Sequence, residues 1–297
     1  MRAGSRAKKK KKEKREKKRK AHMAAKTATS TSKRRAVRRN TRNARARDLG
    51  GDAASPTIAS LASVPHRADM LEQVVNSLYG QVDRINVFLN GYSSVPTFLL
   101  RPQIHVGRSQ EHGDRGDAGK FHWAGELGDC YHLTCDDDLV YPGDYAATMK
   151  RKIERYERNA VVGLHGVVLV ARPRRSYYRE RRVYRCTRSV GRDTVVNILG
   201  TGVCAYHTST LRVDRSMFRK ANMADIWLGI AAMRQSVPMI VIRHGANWLK
   251  ELPDPRPERS VFARYRGRDS EQFQVVRSVA PWPRPRPFRG AVAGCLQ

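Results

Sequence analysis

Three consecutive carboxylates, Asp136-Asp137-Asp138, follow directly on the mostly apolar run Tyr131-His-Leu-Thr-Cys135. A short run of this kind reads as a buried strand, and adjacent like charges at its end repel unless a cation or solvent screens them. Asp136 and Asp138, one residue apart, can share a divalent ion. In open α/β sheets ligands collect outside the carboxyl ends of strands, which is where this pair is expected. A second group is Gly113-Asp-Arg-Gly-Asp-Ala-Gly-Lys120. Its glycines let backbone approach a ligand closely, and Asp117 and Lys120 have the chemistry to contact a nucleoside and its phosphates. It is not a P-loop, because Asp114 stands where the first Gly belongs and Phe121 where the Ser or Thr belongs; alone it reads as a surface loop. Asp225 is a lone carboxylate at the start of an apolar helix that runs to about Arg234. It is there either for function or to meet the positive end of the helix dipole.

The elements that must position these residues are legible from periodicity. Thr57-Ile-Ala-Ser-Leu-Ala62 reads as a strand, and Leu71, Val74, Val75 and Leu78 fall on one face of a helix. Ser63-Val64-Pro65-His66-Arg67 lies between the two. A second strand, Arg84 to Leu89, ends at the turn signal Asn90-Gly91, which completes a βαβ unit with parallel pairing. After the triplet, Leu139 to Gly143 turns the chain and Asp144 is expected to cap a helix from Tyr145 to Asn159, with Met149, Ile153 and Tyr156 inside. Val161 to Val170 is a further strand or pair of strands. Leu199-Gly-Thr-Gly202 gives a tight bend, Pro238 to Ile242 a last strand followed by Arg243-His244, and Ser270 to Ser278 a helix before a tail from Pro281. The expected fold class is α/β, a mixed but mainly parallel sheet flanked by helices.

The chain carries 58 Lys+Arg against 27 Asp+Glu, a net +31, and of this 22 basic and 3 acidic residues fall within the first 50 positions. Residues 1–55 are therefore expected to be a disordered basic tail. Nucleic-acid contact, attachment to anionic membrane and a plain solubilising arm are open roles for it. Five cysteines without a C-x-x-C pair signal neither a disulfide framework nor a zinc site, and reduced, cytoplasmic thiols are the simplest reading. No apolar run reaches the roughly 18 residues of a membrane span, so contact with the inner membrane face would be peripheral.

The order of these parts, from Ser63-x-Pro65-x-Arg67 through Asn90-Gly91, Gly116-Asp-Ala-Gly-Lys120, Cys135-Asp-Asp-Asp138 and Gly200-Thr-Gly202 to Met223-Ala-Asp225, resembles the GT-A-fold glycosyltransferases of the family 2 type. The likeness is to a bacterial branch with GKFHWA-like and CDDD-like signatures, and it covers roughly Thr57 to Lys250. It implies a donor half at about 56–142, an acceptor half at about 143–250, and a C-terminal helix and Pro/Arg-rich tail over 251–297. It further implies that Asp136 and Asp138 hold Mn²⁺ or Mg²⁺ against a nucleotide-sugar diphosphate, with Asp137 nearer the ribose. Ser63, Pro65, Arg67, Asn90, Asp117 and Lys120 would line the nucleoside pocket, Asp225 would be the catalytic base, and His244 would add a metal or diphosphate contact. Ala224 departs from the acidic pair that many members carry at the base. Neither a Gln-x-x-Arg-Trp signature nor membrane spans occur, which favours addition of single sugars.

The expected activity is thus transfer of one sugar, UDP-linked in the first instance, to a glycan, lipid-linked or protein acceptor with inversion. The Arg172 to Arg188 stretch, which interleaves arginine with tyrosine, reads either as a grip on phosphates, bases or sugar rings or as a basic, mobile loop on the acceptor side. Two further classes compete: a nucleic-acid- or polyanion-binding protein with a non-catalytic α/β scaffold, and a phosphohydrolase or nucleotidyltransferase using the triplet for two-metal chemistry.

Overall fold

Thr57–Ser63 (β1) is buried along its whole length apart from the half-buried Ala62. Arg84–Leu89 (β2), Ile104–Arg108 (β3) and Tyr131–Cys135 (β4) complete a parallel group in which β1 is flanked by β2 and β4. A strand covered on both faces has no solvent side to alternate with, hence its run of small and apolar residues. The helix Ala68–Leu78 (α1) buries Met70, Leu71, Val74, Val75 and Leu78, the stripe expected of it. The computed structural model describes residues 55–265 and 267–285; the basic tail read over 1–55 lies outside the described residues except at its last position.

The chain lays β2 and β3 successively on one side of β1, then crosses to the other side to form β4. Connections leaving β1 and β4 diverge, so the gap between their carboxyl ends is a topological switch point, where open α/β sheets bind ligands. Between β3 and β4 lie one turn of helix, Ser109–His112 (α2), and a 3-10 stretch, Gly116–Phe121. The glycine-rich surface loop read there is in fact buried around Lys120 and Phe121. Phe121 holds it down, with its ring stacked on Phe218 at a centroid separation of 4.2 Å.

After β4 come Leu139–Val140 (β5) and the helix Tyr145–Arg155 (α3). The helix starts as predicted, but Asp144 makes no side-chain bond to a backbone amide; its carboxylate accepts from the Thr148 hydroxyl at 3.2 Å. It stops short of Asn159 because Glu157 and Arg158 take φ of 52° and 55°, outside helical space. The following apolar run is a pair of strands, Val161–Gly163 (β6) and Gly166–Leu169 (β7). Arg181–Tyr184 (β8), Thr194–Val196 (β9), Ile198–Leu199 (β10) and Val203–His207 (β11) follow. Then come Ala224–Arg234 (α4), Met239–Val241 (β12), Lys250–Glu251 (β13), Val261–Tyr265 (α5) and Ser270–Ser278 (α6).

The main sheet is mixed and mostly parallel, with eight strands in the order β3-β2-β1-β4-β11-β6-β12-β9 and helices on its faces. A second sheet runs β10-β7-β8, and β13 pairs with β5. α4 is apolar almost all round because it is packed on two sides: Leu228 and Ala232 in one cluster, Ile226 and Ile230 in another. That second cluster includes Val276 and Trp282. A tail is expected from Pro281, yet Trp282 is 2 % exposed and its indole N–H donates to the Val276 carbonyl at 2.8 Å. β13, not the Pro238 to Ile242 segment, is the last strand; it lies outside any periodic pattern because it is two residues long. Cys130, Cys135, Cys186 and Cys204 are free thiols. Among the described residues no helix is long and apolar enough to cross a membrane.

Candidate active site at the carboxyl edge of the sheet

β1, β2, β4, β6 and β12 run in one direction, so their carboxyl ends open on a single edge of the sheet. β11 runs the other way and delivers its preceding bend, Gly200-Thr201-Gly202, to the same edge. Ser63 to Arg67, Asn90, the Asp triplet, His165 and Arg243-His244 all follow strands that end there.

The triplet is fixed by backbone as much as by charge. The Asp136 amide donates to the Tyr141 hydroxyl at 2.8 Å, and that hydroxyl donates to the Gly202 carbonyl at 2.5 Å. Gly202 is the point of closest approach: a Cβ there would lie 1.8 Å from Asp136 Oδ2. Lys120 Nζ donates to Asp136 Oδ1. Arg67 takes the other two, with Nη1 2.7 Å from Asp137 Oδ1 and 3.0 Å from Asp138 Oδ2. Its Nε donates to Asp254 Oδ2 at 3.0 Å, so one guanidinium gathers three carboxylates.

Asp117 and Asp225 complete the cluster at the amino end of α4. Asp117 Oδ2 accepts the Ala224 amide at 2.9 Å, at the amino end of α4. Asp225, in the first turn of that helix, accepts the Thr201 amide at 2.8 Å and the Thr201 hydroxyl at 2.6 Å, both through Oδ1. Lys120 is the link between the two sides. Burial pulls its ammonium down, but Asp136, Asp117 and Asp225 outweigh burial and hold it above its ordinary value, so it stays charged. His165 packs against Gly200, where a Cβ would come within 3.2 Å of the imidazole. Burial lowers its pKa, and it feels the charges of both Asp225 and Asp136.

Negative charge is in surplus here: six carboxylates (Asp117, Asp136, Asp137, Asp138, Asp225, Asp254) against Lys120 and Arg67. The imbalance is felt most by Asp138, whose pKa is pushed up to about 7 by burial, then by Asp136 and Asp137, against Arg67 and Lys120. Burial also raises Asp137, and it raises Asp117 to about 6 against the pull of Lys120 and the Ala224 amide. Such crowding is relieved by a divalent cation. Among the described residues no three His, Cys, Asp or Glu side chains converge as a ready-made metal cage. Asp136 and Asp138 nevertheless each keep one oxygen without a donor among the described residues, on side chains 42 % and 28 % exposed. Two hard carboxylate oxygens on partly exposed side chains fit Mg²⁺ or Mn²⁺ that draws its remaining ligands from water and substrate phosphates.

The other expected site residues are engaged differently. Ser63 Oγ lies 3.0 Å from the Tyr92 hydroxyl and also supports Asp137. Pro65, itself exposed, opens the 3-10 turn that carries the half-buried Arg67. Asn90 spends its side chain on the glycine-rich segment, donating to the Gly116 carbonyl at 3.0 Å and accepting from the Arg115 amide at 3.1 Å. His244 is buried, with Nδ1 2.7 Å from the Ile242 carbonyl, and among the described residues it makes no hydrogen bond to Asp136 or Asp138. Tyr141, His165, Thr201 and Asp254 belong to the cluster without having been singled out from sequence. No known protein-family model matches the chain, and no curated protein matches it in sequence.

Proposed function

We propose that the chain is a metal-dependent GT-A glycosyltransferase that moves one sugar from a nucleotide-sugar donor, UDP-linked in the first instance, to an acceptor hydroxyl with inversion. One observation carries the reading: a partly open Asp136/Asp138 pair at a topological switch point is bridged by Lys120, which pairs with Asp136 and lies in the field of a carboxylate from the start of α4, Asp225. Donor and acceptor chemistry need those two centres side by side. The parallel order β3-β2-β1-β4, with an antiparallel strand inserted before β6, agrees with the mixed sheet that the family resemblance implies.

Asp136 and Asp138 would hold Mn²⁺ or Mg²⁺, which supplies Lewis-acid stabilisation of the departing diphosphate. Lys120 and Arg67 add fixed positive charge beside the same group. Thr201 pins Asp225 through one oxygen and leaves the other to take the proton of the acceptor hydroxyl as it attacks. With a single base and a single displacement, the anomeric centre inverts. A glycan, lipid-linked or protein acceptor is compatible with this chemistry.

Product analysis tests the reading. The full chain is incubated with Mn²⁺ and a panel of nucleotide sugars, with glycans, lipid-linked sugars and peptides as acceptors. Intact transfer of the sugar with release of nucleoside diphosphate is the expected result. Release of a sugar phosphate or of inorganic phosphate instead would favour two-metal phosphoryl chemistry and sink the proposal.

A further inference from the structure

Residues 172–192 carry nine arginines and a single carboxylate, Glu180. That carboxylate is already engaged: its Oε2 accepts the amides of Arg174, Arg175 and Ser176 at 2.9, 2.6 and 3.0 Å, closing a loop rather than neutralising a guanidinium. Among the described residues none of the nine arginines forms an ion pair, whereas Arg67, Lys120, Lys152, Arg158, Arg215 and Lys220 all do.

Two of the nine adjoin the candidate active site. Arg181 lies over the rings of Tyr177 and Tyr178, its Cζ 4.3 and 4.4 Å from their centroids, and its buried Nε has no hydrogen-bond partner among the described residues. Arg185 follows β8 directly. β7 and β8 pair antiparallel with Gly166 opposite Tyr184, so continuing the register sets Arg185 opposite His165. His165 is the common neighbour, subject to the fields of Asp225 and Asp136 and to those of Arg181 and Arg185. Two guanidinium groups with no carboxylate partner among the described residues thus stand beside His165, on the side where an acceptor for Asp225 would lie.

We infer that the acceptor carries a phosphate, bound by Arg181 and Arg185 while its hydroxyl faces Asp225. The inference rests on the glycosyltransferase reading above. A guanidinium seated over two aromatic rings presents a preorganised fork that matches phosphate oxygens, and a second arginine four residues further along, directly after the same strand, supplies another. Phosphate on a soluble sugar and phosphate on a lipid offer the same oxygens.

The test is a ³¹P NMR titration of the full chain, without metal or nucleotide, using inorganic phosphate, a hexose phosphate and a short-chain isoprenyl phosphate. The chains compared are the wild type, Arg181→Ala/Arg185→Ala, Arg181→Lys/Arg185→Lys and Arg172→Ala/Arg174→Ala. The alanine pair should weaken binding about tenfold or more, and the lysine pair about threefold, because ammonium cannot fork. The Arg172/Arg174 pair should bind as the wild type does. Tighter binding of the hexose or of the isoprenyl phosphate identifies the source. Should the alanine pair fail to fold, the lysine pair decides. Unchanged phosphate affinity in the substituted chain overturns the inference. So does a single-stranded oligonucleotide that binds more tightly than any of the phosphates and weakens equally in both arginine pairs, which would assign the segment to nucleic acid. Because donor nucleotide and metal are absent, loss of phosphate binding leaves the donor site intact. Retained phosphate binding in a chain that binds no nucleotide removes the acceptor assignment together with the enzyme reading.

Discussion

Gly202→Ala probes how the triplet is held. The backbone of Gly202 is not in the left-handed region, so alanine is conformationally allowed. Its methyl, however, would fall 1.8 Å from Asp136 Oδ2 and 2.2 Å from Cγ, about 1.6 Å short of ordinary van der Waals contact. The Gly202 carbonyl is tied to Tyr141, which also receives the Asp136 amide, so the backbone resists and the carboxylate must swing out. Asp136 is 42 % exposed and can reach solvent, but Lys120, 3 % exposed, then loses its closest partner while keeping the fields of Asp117 and Asp225. The stability loss should be about 1–3 kcal/mol, a drop in melting temperature of roughly 3–10 °C for a domain of this size. If the proposed metal site is right, displacing this Asp136 oxygen should weaken metal-dependent nucleotide binding about tenfold or more, measured by calorimetry. Gly143→Ala, where the added methyl meets nothing within 4 Å, serves as the control. Wild-type nucleotide affinity and melting temperature in Gly202→Ala would refute the geometry.

Asp225→Asn should keep the Thr201 bonds, and with them nucleotide and metal binding, while sugar transfer falls about 10²–10⁴-fold; undiminished transfer removes Asp225 from the mechanism. His132 is fully buried between Tyr206 and Ser60, and burial lowers its pKa to about 3. The folded state keeps it neutral while the unfolded chain protonates below about pH 6.5, so this contribution is intact above that pH and is lost as pH falls, about 3 kcal/mol by pH 4.5. Urea unfolding at pH 7 and pH 4.5 should show that much less acid sensitivity in His132→Gln than in the wild type, and equal losses would contradict it. Trp282→Ala should cost about 3–5 kcal/mol in urea unfolding if the indole is packed against α4 and α6, whereas a change under about 0.5 kcal/mol would mean the segment is undocked.

The βαβ start and the triplet were legible because they are local. Apolar periodicity names β1, α1 and β2, and like charges at the end of an apolar run are conspicuous wherever they occur. What was hidden depends on pairing across the chain. Asp254 meets Arg67 from 187 residues away, out of a proline- and arginine-rich stretch with no period to read. Tyr141 reads as an ordinary core tyrosine until its hydroxyl is seen joining Asp136 to Gly202. His165 is one histidine among valines, and only the bend at Gly200 brings it beside Asp225. Asp117 illustrates the converse: its type suited a nucleoside contact, yet its carboxylate accepts the Ala224 amide, which no spacing in the sequence announces.

The most direct test of the proposed donor site is calorimetric titration of the full chain with UDP, GDP and CMP, with and without Mn²⁺, alongside Asp136→Ala/Asp138→Ala. One nucleotide should bind only when Mn²⁺ is present, and this binding should vanish in the double variant. Binding that ignores both the metal and the two aspartates, or no binding by any of the three nucleotides, would contradict the proposed site.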